Sequence, residues 1–146
     1  MRRPVVIGRS TVSPCLLVAD IQEELQFLRA VFGAEVVGQR AETEGTVWNV
    51  EMRLGNAMLL IGRNHKDNMP SAGMLYVWTE DVEATYARAL AAGATLISAP
   101  TNTPSGIREA GFQDPQGNIW WIGKRVGRLS NREVERRLTE QRRQRL

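Results

Sequence analysis

Cysteine and histidine each occur once in the 146 residues, as Cys15 and His65, and that scarcity removes whole classes of chemistry. A lone thiol cannot build an intrachain disulfide framework, and it fits a reducing compartment. Catalytic zinc draws its protein ligands from His, Cys and carboxylates, and non-haem iron typically wants paired histidines with a carboxylate. One histidine, in a polar connector, supplies neither set, so we read His65 as a solvated loop residue. Cys15 sits in an apolar strand with nothing nearby in sequence to depress its pKa, so a buried structural thiol is expected. No apolar run is long enough to span a membrane, and Met1-Arg-Arg-Pro4 lacks the apolar core of a secretion signal, so a soluble cytoplasmic protein is expected. There is no Gly-x-Ser-x-Gly elbow, no phosphate-binding Gly-x-x-x-x-Gly-Lys loop and no dinucleotide fingerprint.

The net charge of +3 is concentrated in one place. Residues 128 to 146 carry seven arginines against Glu133, Glu135 and Glu140, a local +4 that leaves the body near −1. A general polyanion-binding surface does not follow, and nucleic acid is not an expected partner. Ser130 and Glu133 form a capping-box pattern that launches a helix over about 130–145, supported by Glu133/Arg137 and Arg136/Glu140 pairs. Its apolar stripe is thin, with Val134 and Leu138 free to dock on the body or a partner subunit.

What the chain does contain is a repeat. The turn Asp114-Pro-Gln-Gly117 joins two apolar strand-like runs, and it has an echo at Leu54-Gly55-Asn56-Ala57. Asp20 to Asp81 is an offset of 61, Gly33 to Gly93 is 60, and Asn56 to Asn118 is 62, so one unit is used twice. In the first copy a strand over 10–18 leads to Asp20, an N-cap. Ile21, Leu25, Leu28 and Phe32 then recur at helical spacing up to Gly33, and strands are expected over 35–41, 45–53 and 56–62. The second copy offers a strand over 74–79, a helix from Asp81 to Ala92, and strands near 94–98, 106–113 and 118–123. Pro100 and Pro104 bracket a loop placed where it could cover a ligand. Each unit reads β-α-β-β-β: module one spans about 10–62, a connector 63–73, and module two about 74–125, in a single domain over 1–146.

Two such units with an Asp-Pro-x-Gly-Asn-x-Trp turn resemble the vicinal oxygen chelate superfamily, also called the glyoxalase/bleomycin-resistance/dioxygenase superfamily, over about residues 10–125. The helix ending Phe32-Gly-Ala34, the segment Ala87 to Ala94 and the helical tail are similar to its PhnB-like subgroup. The resemblance implies an α+β fold: two tandem βαβββ modules forming a cup-shaped, eight-stranded mixed sheet around a ligand, within one chain or across a homodimer, plus the C-terminal helix. It also implies metal-ligand positions on the first and last strands of each module, which fall here on Ser13, Leu59, Met74 and Trp121. None is an ordinary metal ligand, and a one-residue slip offers only Pro14, Met58 or Leu60, Leu75, and Trp120 or Ile122. No cofactor is therefore expected; carboxylates such as Glu51, Glu109 or Asp114, recruited across a dimer to hold magnesium, are the remaining metal alternative.

Aromatic rings replace the ligands. Trp48, Trp78, Trp120 and Trp121 all fall in strands, with Tyr76 and Phe112, and period-2 alternation puts Met74, Tyr76 and Trp78 on one face. We expect Trp48, Tyr76, Trp78, Phe112 and Trp121 to line the ligand site. Arg108 and Glu109 are adjacent and must face opposite sides, so one of them is the expected polar anchor. The function that follows is metal-independent binding of a planar or amphipathic small molecule. Its rivals are a lyase, isomerase or dioxygenase using displaced ligands or carboxylate acid/base chemistry, and an interaction protein whose cup is filled.

Overall fold

The computed structural model describes residues 10–41, 47–63 and 72–145; side chains are described from these, except at 40, 41, 47 and 48. His65 lies outside the described residues, as does the side chain of Trp48. The elements run β1 (Cys15–Val18), α1 (Ile21–Phe32), β2 (Glu35–Ala41), β3 (Val47–Leu54), β4 (Ala57–Arg63), β5 (Met74–Trp78), α2 (Val82–Ala91), β6 (Thr95–Asn102), β7 (Ile107–Gln113), β8 (Ile119–Arg125) and α3 (Asn131–Gln144). The fold is α+β, with the βαβββ order twice and a terminal helix.

Local chemistry sets the helix ends. Asp20 accepts a hydrogen bond from the Glu23 amide at 3.1 Å and opens α1. Gly33, at φ 64°, closes it in the left-handed conformation that only a residue without Cβ adopts freely. Asp81 repeats the cap on the Ala84 amide at 2.9 Å, and Ser130 on the Glu133 amide at 3.2 Å. The Glu133 side chain does not complete the capping box; it pairs with Arg136 and Arg137.

The strands form two four-stranded mixed sheets, ordered β1-β4-β3-β2 and β5-β8-β7-β6. In each, the first strand runs parallel to the last of its module and the remaining pairs are antiparallel. Even the irregularities repeat, with a register shift at Val36/Gly38 in β2 and at Leu96/Ser98 in β6. β6 runs through Pro100 to Asn102, because an edge strand has a side on which a missing N–H costs nothing. The loop expected between the prolines therefore contracts to a turn at Thr103–Gly106, closed by the Thr103 amide on the Ile107 carbonyl at 2.7 Å.

Helix α1 packs on β3 and β4, α2 packs on β6, β7 and β8, and the two helices touch. Phe27 and Phe32 of α1 reach across to Phe112 and Trp120 of the second sheet, with centroids 5.1 to 6.3 Å apart. One core, buried between the helix-bearing faces of both sheets, thus joins the modules. Among the described residues no helix packs on the opposite face of either sheet as α1 and α2 do on theirs. Helix α3 has no buried residue and packs on neither sheet as the other helices do.

Candidate functional site: the ring-lined face of the second sheet

Side-chain parity assigns every strand residue to the helix-bearing face or the open one. Parallel pairing of Tyr76 with Trp121, and antiparallel pairing of Trp121 with Gly111 and Gly123 with Glu109, put Tyr76, Trp121, Gly111, Gly123 and Glu109 on the open face. Met74 and Trp78 join them by alternation along β5. These apolar side chains are far from buried: Met74 is 71% exposed, Trp78 61% and Tyr76 43%.

Two glycines let the rings lie down. A Cβ on Gly111 would sit 3.0 Å from three carbons of the Trp121 six-membered ring at once, so that ring lies face-on over the Gly111 backbone. A Cβ on Gly123 would come within 2.0 Å of the Tyr76 hydroxyl, so the phenol crosses β8 in the gap left by the missing side chain. Beyond that gap the hydroxyl donates to Glu109 Oε2 on β7 at 3.0 Å. Trp78 stands tilted by 55° against Tyr76 with centroids 5.1 Å apart, forming a wall beside the floor. Desolvation, the hydrogen bond to Glu109 and that carboxylate's charge push the Tyr76 pKa up to about 12, so the phenol stays a donor across the physiological range.

The same β5 edge borders a cleft of about 270 Å³. It is lined from the first module by Pro14, the β3–β4 hairpin at Leu54–Ala57 and Leu59, and from the second by β5 from Leu75 to Trp78 and by Trp120. It falls just below the usual size range for small-ligand pockets, and its lining is chiefly apolar.

Trp120, Trp121's neighbour, points the other way. It is fully buried and donates Nε1–H to Asp114 Oδ2 at 2.8 Å. Asp114 Oδ1 also accepts from the Gln116 and Asn118 amides, both at 2.9 Å, which fixes the turn between β7 and β8. That turn is tied to the first module: Gln116 Oε1 accepts from the Ala19 and Asp20 amides at 3.0 Å, and its Nε2 donates to Glu23 at 2.9 Å. Beside it lies Glu24, fully buried on α1, neither of whose oxygens has a hydrogen-bond partner among the described residues. Burial first, then the Asp114 carboxylate, raises its pKa to about 9. No periodicity signal marks Glu24, which falls on the helix face that sequence reading assigns to core.

Several expectations are corrected. Phe112 is fully buried on the helix-bearing face against Phe27 and Phe32, because its parity matches Trp120 rather than Trp121. Arg108 shares that face, where it pairs with Glu83 and donates to Asn102 at 3.1 Å; of the adjacent pair only Glu109 meets the rings. Cys15 is exposed, because alternation gives Leu16 and Val18 to the core and Cys15 to the open face of the first sheet. Leu59 is buried toward α1, so the open-face positions of β4 are Met58 and Leu60.

The donor set does not fit the metal that the fold family implies. With the register corrected, the open-face positions on the first and last strands of each module hold Cys15, Met58 or Leu60, Met74 or Tyr76, and Trp121. Among the described residues no group of three His, Cys, Asp or Glu could hold an ion. No helix among them is long and apolar enough to cross a membrane.

Residues 10–122 match the family model described as Glyoxalase/Bleomycin resistance protein/Dioxygenase superfamily. An uncharacterized protein of Mycobacterium bovis is 23% identical over 141 residues, 89% of this chain and 93% of its own. The crystal structure of TioX from Micromonospora sp. ML1 superposes with a TM-score of 0.68 at 21% identity, over 80% of this chain and 99% of that one. TnmS3, an antibiotic binding protein from Streptomyces sp. CB03234, does so with 0.59 at 25% identity, over 78% and 97%.

Proposed function

We propose that this chain, which belongs to the Glyoxalase/Bleomycin resistance protein/Dioxygenase superfamily, binds a planar small molecule against the open face of its second sheet without needing a metal. The observation that carries this is the ring floor, with Trp121 flat over Gly111, the hydroxyl end of Tyr76 crossing Gly123, and the exposed Trp78 beside them. Rings serving only as core would be turned inward, as Trp120 and Phe112 are. Flat, exposed aromatic faces with a single polar anchor suit offset stacking of a planar ligand. The likeness to the antibiotic binding protein TnmS3 supports the binding of a small molecule.

The reading includes a homodimer. The open faces of the two sheets lie on opposite sides of the shared helical core, so a cup walled by both needs the first sheet of a second copy over the rings of this one. The exposed Met74, Tyr76 and Trp78, together with the undocked α3, are surfaces such a copy would cover.

Tryptophan fluorescence titrated with a panel of planar aromatic compounds tests the reading. Stacking on Trp121 quenches emission, and Trp121→Ala abolishes binding while the fold is retained. Should no planar compound perturb the fluorescence, the floor is not a ligand site.

A further inference from the structure

We infer that the ligand taken by this face is cationic: a planar ring system bearing a protonated nitrogen or an ammonium group, seated on Tyr76, Trp78 and Trp121 with its charge directed at Glu109. The inference rests on the binding reading above and specifies its chemistry.

Three observations lead to it. The first is the shape of the aromatic corner. A floor and a wall of electron-rich rings, 5.1 Å apart between Tyr76 and Trp78 and inclined by 55°, present two negative π faces to one volume. That arrangement attracts a cation more strongly than a neutral ring of the same outline. The second is the state of Glu109. Its Oε2 accepts from the Tyr76 hydroxyl, which partly satisfies the carboxylate but leaves its charge in place; among the described residues no donor is joined to its Oε1. The donor there is a neutral phenol, so the carboxylate retains a formal charge beside the rings.

The third observation is where the basic groups go. Arg108, next to Glu109 in sequence, is on the far side of the sheet and committed to Glu83 and Asn102. Lys124 shares that far face by alternation along β8. Arg125 is on the open side but pairs across β7 with Ile107, one diagonal step beyond Glu109, and forms no ion pair with it. Thr101, the partner of Glu109 on β6, and Gly111, two residues on along β7, are its other open-face neighbours and bring no charge. The carboxylate thus faces an apolar, ring-lined surface with no cation among the described residues joined to it. A negative charge beside exposed aromatic faces repels anionic planar ligands, is indifferent to neutral ones and selects positive ones.

Isothermal titration calorimetry on the full-length protein with three tricyclic probes of similar outline tests this: proflavine, cationic at neutral pH, neutral acridine, and anionic acridine carboxylate. Proflavine should bind at least roughly tenfold tighter than acridine, with the carboxylate weakest. Glu109→Gln keeps an acceptor for Tyr76 and removes the charge; it should bring proflavine within about threefold of acridine, the loss falling chiefly on proflavine. Should that variant not fold, raising the salt concentration on the wild type serves instead, weakening proflavine and not acridine. Equal affinity for proflavine and acridine, or a preference untouched by both Glu109→Gln and salt, overturns the charge selectivity while leaving planar binding standing. Failure of all three probes to bind overturns the binding reading and the inference with it.

Discussion

Glu24 offers the sharpest test of the packing between modules, through the dependence of stability on pH. Its carboxyl is fully buried on α1, has no hydrogen-bond partner among the described residues and lies near Asp114, so the protonated form is favoured and the pKa rises from 4.5 to about 9. No hydrogen bond joins the two carboxyls in the structure, which makes desolvation the leading cause; a proton on Glu24 would allow it to donate to Asp114. The folded state therefore holds this proton through a range in which the unfolded chain has released it. Stability from this group is fully present below the unfolded value of 4.5 and is lost as pH rises toward about 9. The slope approaches about 1.4 kcal/mol per pH unit in the middle of that range, and relaxation or water entry would reduce the total to several kcal/mol. Against a typical domain stability of roughly 5–15 kcal/mol that loss is large. Glu24→Gln has the same shape and cannot ionise. Urea unfolding of both proteins at a series of pH values isolates the effect, since every other titrating group cancels in the difference. The two should be of similar stability in mild acid, and the Gln variant should gain steadily above it. A difference independent of pH, within about 0.5 kcal/mol, would refute the reasoning and mean that water reaches the carboxyl.

The neighbouring tryptophans should separate in stability: Trp120→Ala costs about 3–5 kcal/mol and strands Asp114, whereas Trp121→Ala costs less because its ring is partly exposed, as chemical denaturation will show. Gly123→Ala places a methyl 2.0 Å from the Tyr76 hydroxyl, so the phenol must leave Glu109 and its pKa should fall from about 12 toward 10 in an ultraviolet titration. Light scattering should find a dimer at micromolar concentration, weakened by deleting residues 129–146 if α3 crosses to the second copy. Elemental analysis after gentle purification should find far less than one zinc, iron, manganese or nickel per chain; close to one per chain, with ligands on the open face, would overturn the metal-independent reading.

The repeat, the helix caps and the fold class were legible in the residues because they are local or periodic. Asp20, Asp81 and Ser130 cap the amide three residues on whatever lies beyond them, and the unit repeated at an offset near 60 residues in the chain appears as the paired sheets. Alternation also fixed that Trp120 and Trp121 must oppose each other, and Arg108 and Glu109 likewise. It could not say which member meets solvent, because parity is relative until a neighbouring strand sets it. Pairing of Gly111 with Trp121 and Gly123 with Glu109 made that choice, and it sent Phe112 inward and Cys15 outward. The sequence likewise contains Gly111 and Gly123 without indicating that two rings lie across them, or Glu24 without indicating that the turn at Asp114 closes over it. Those relations join residues on different strands and modules, and only the packed chain brings them within contact distance.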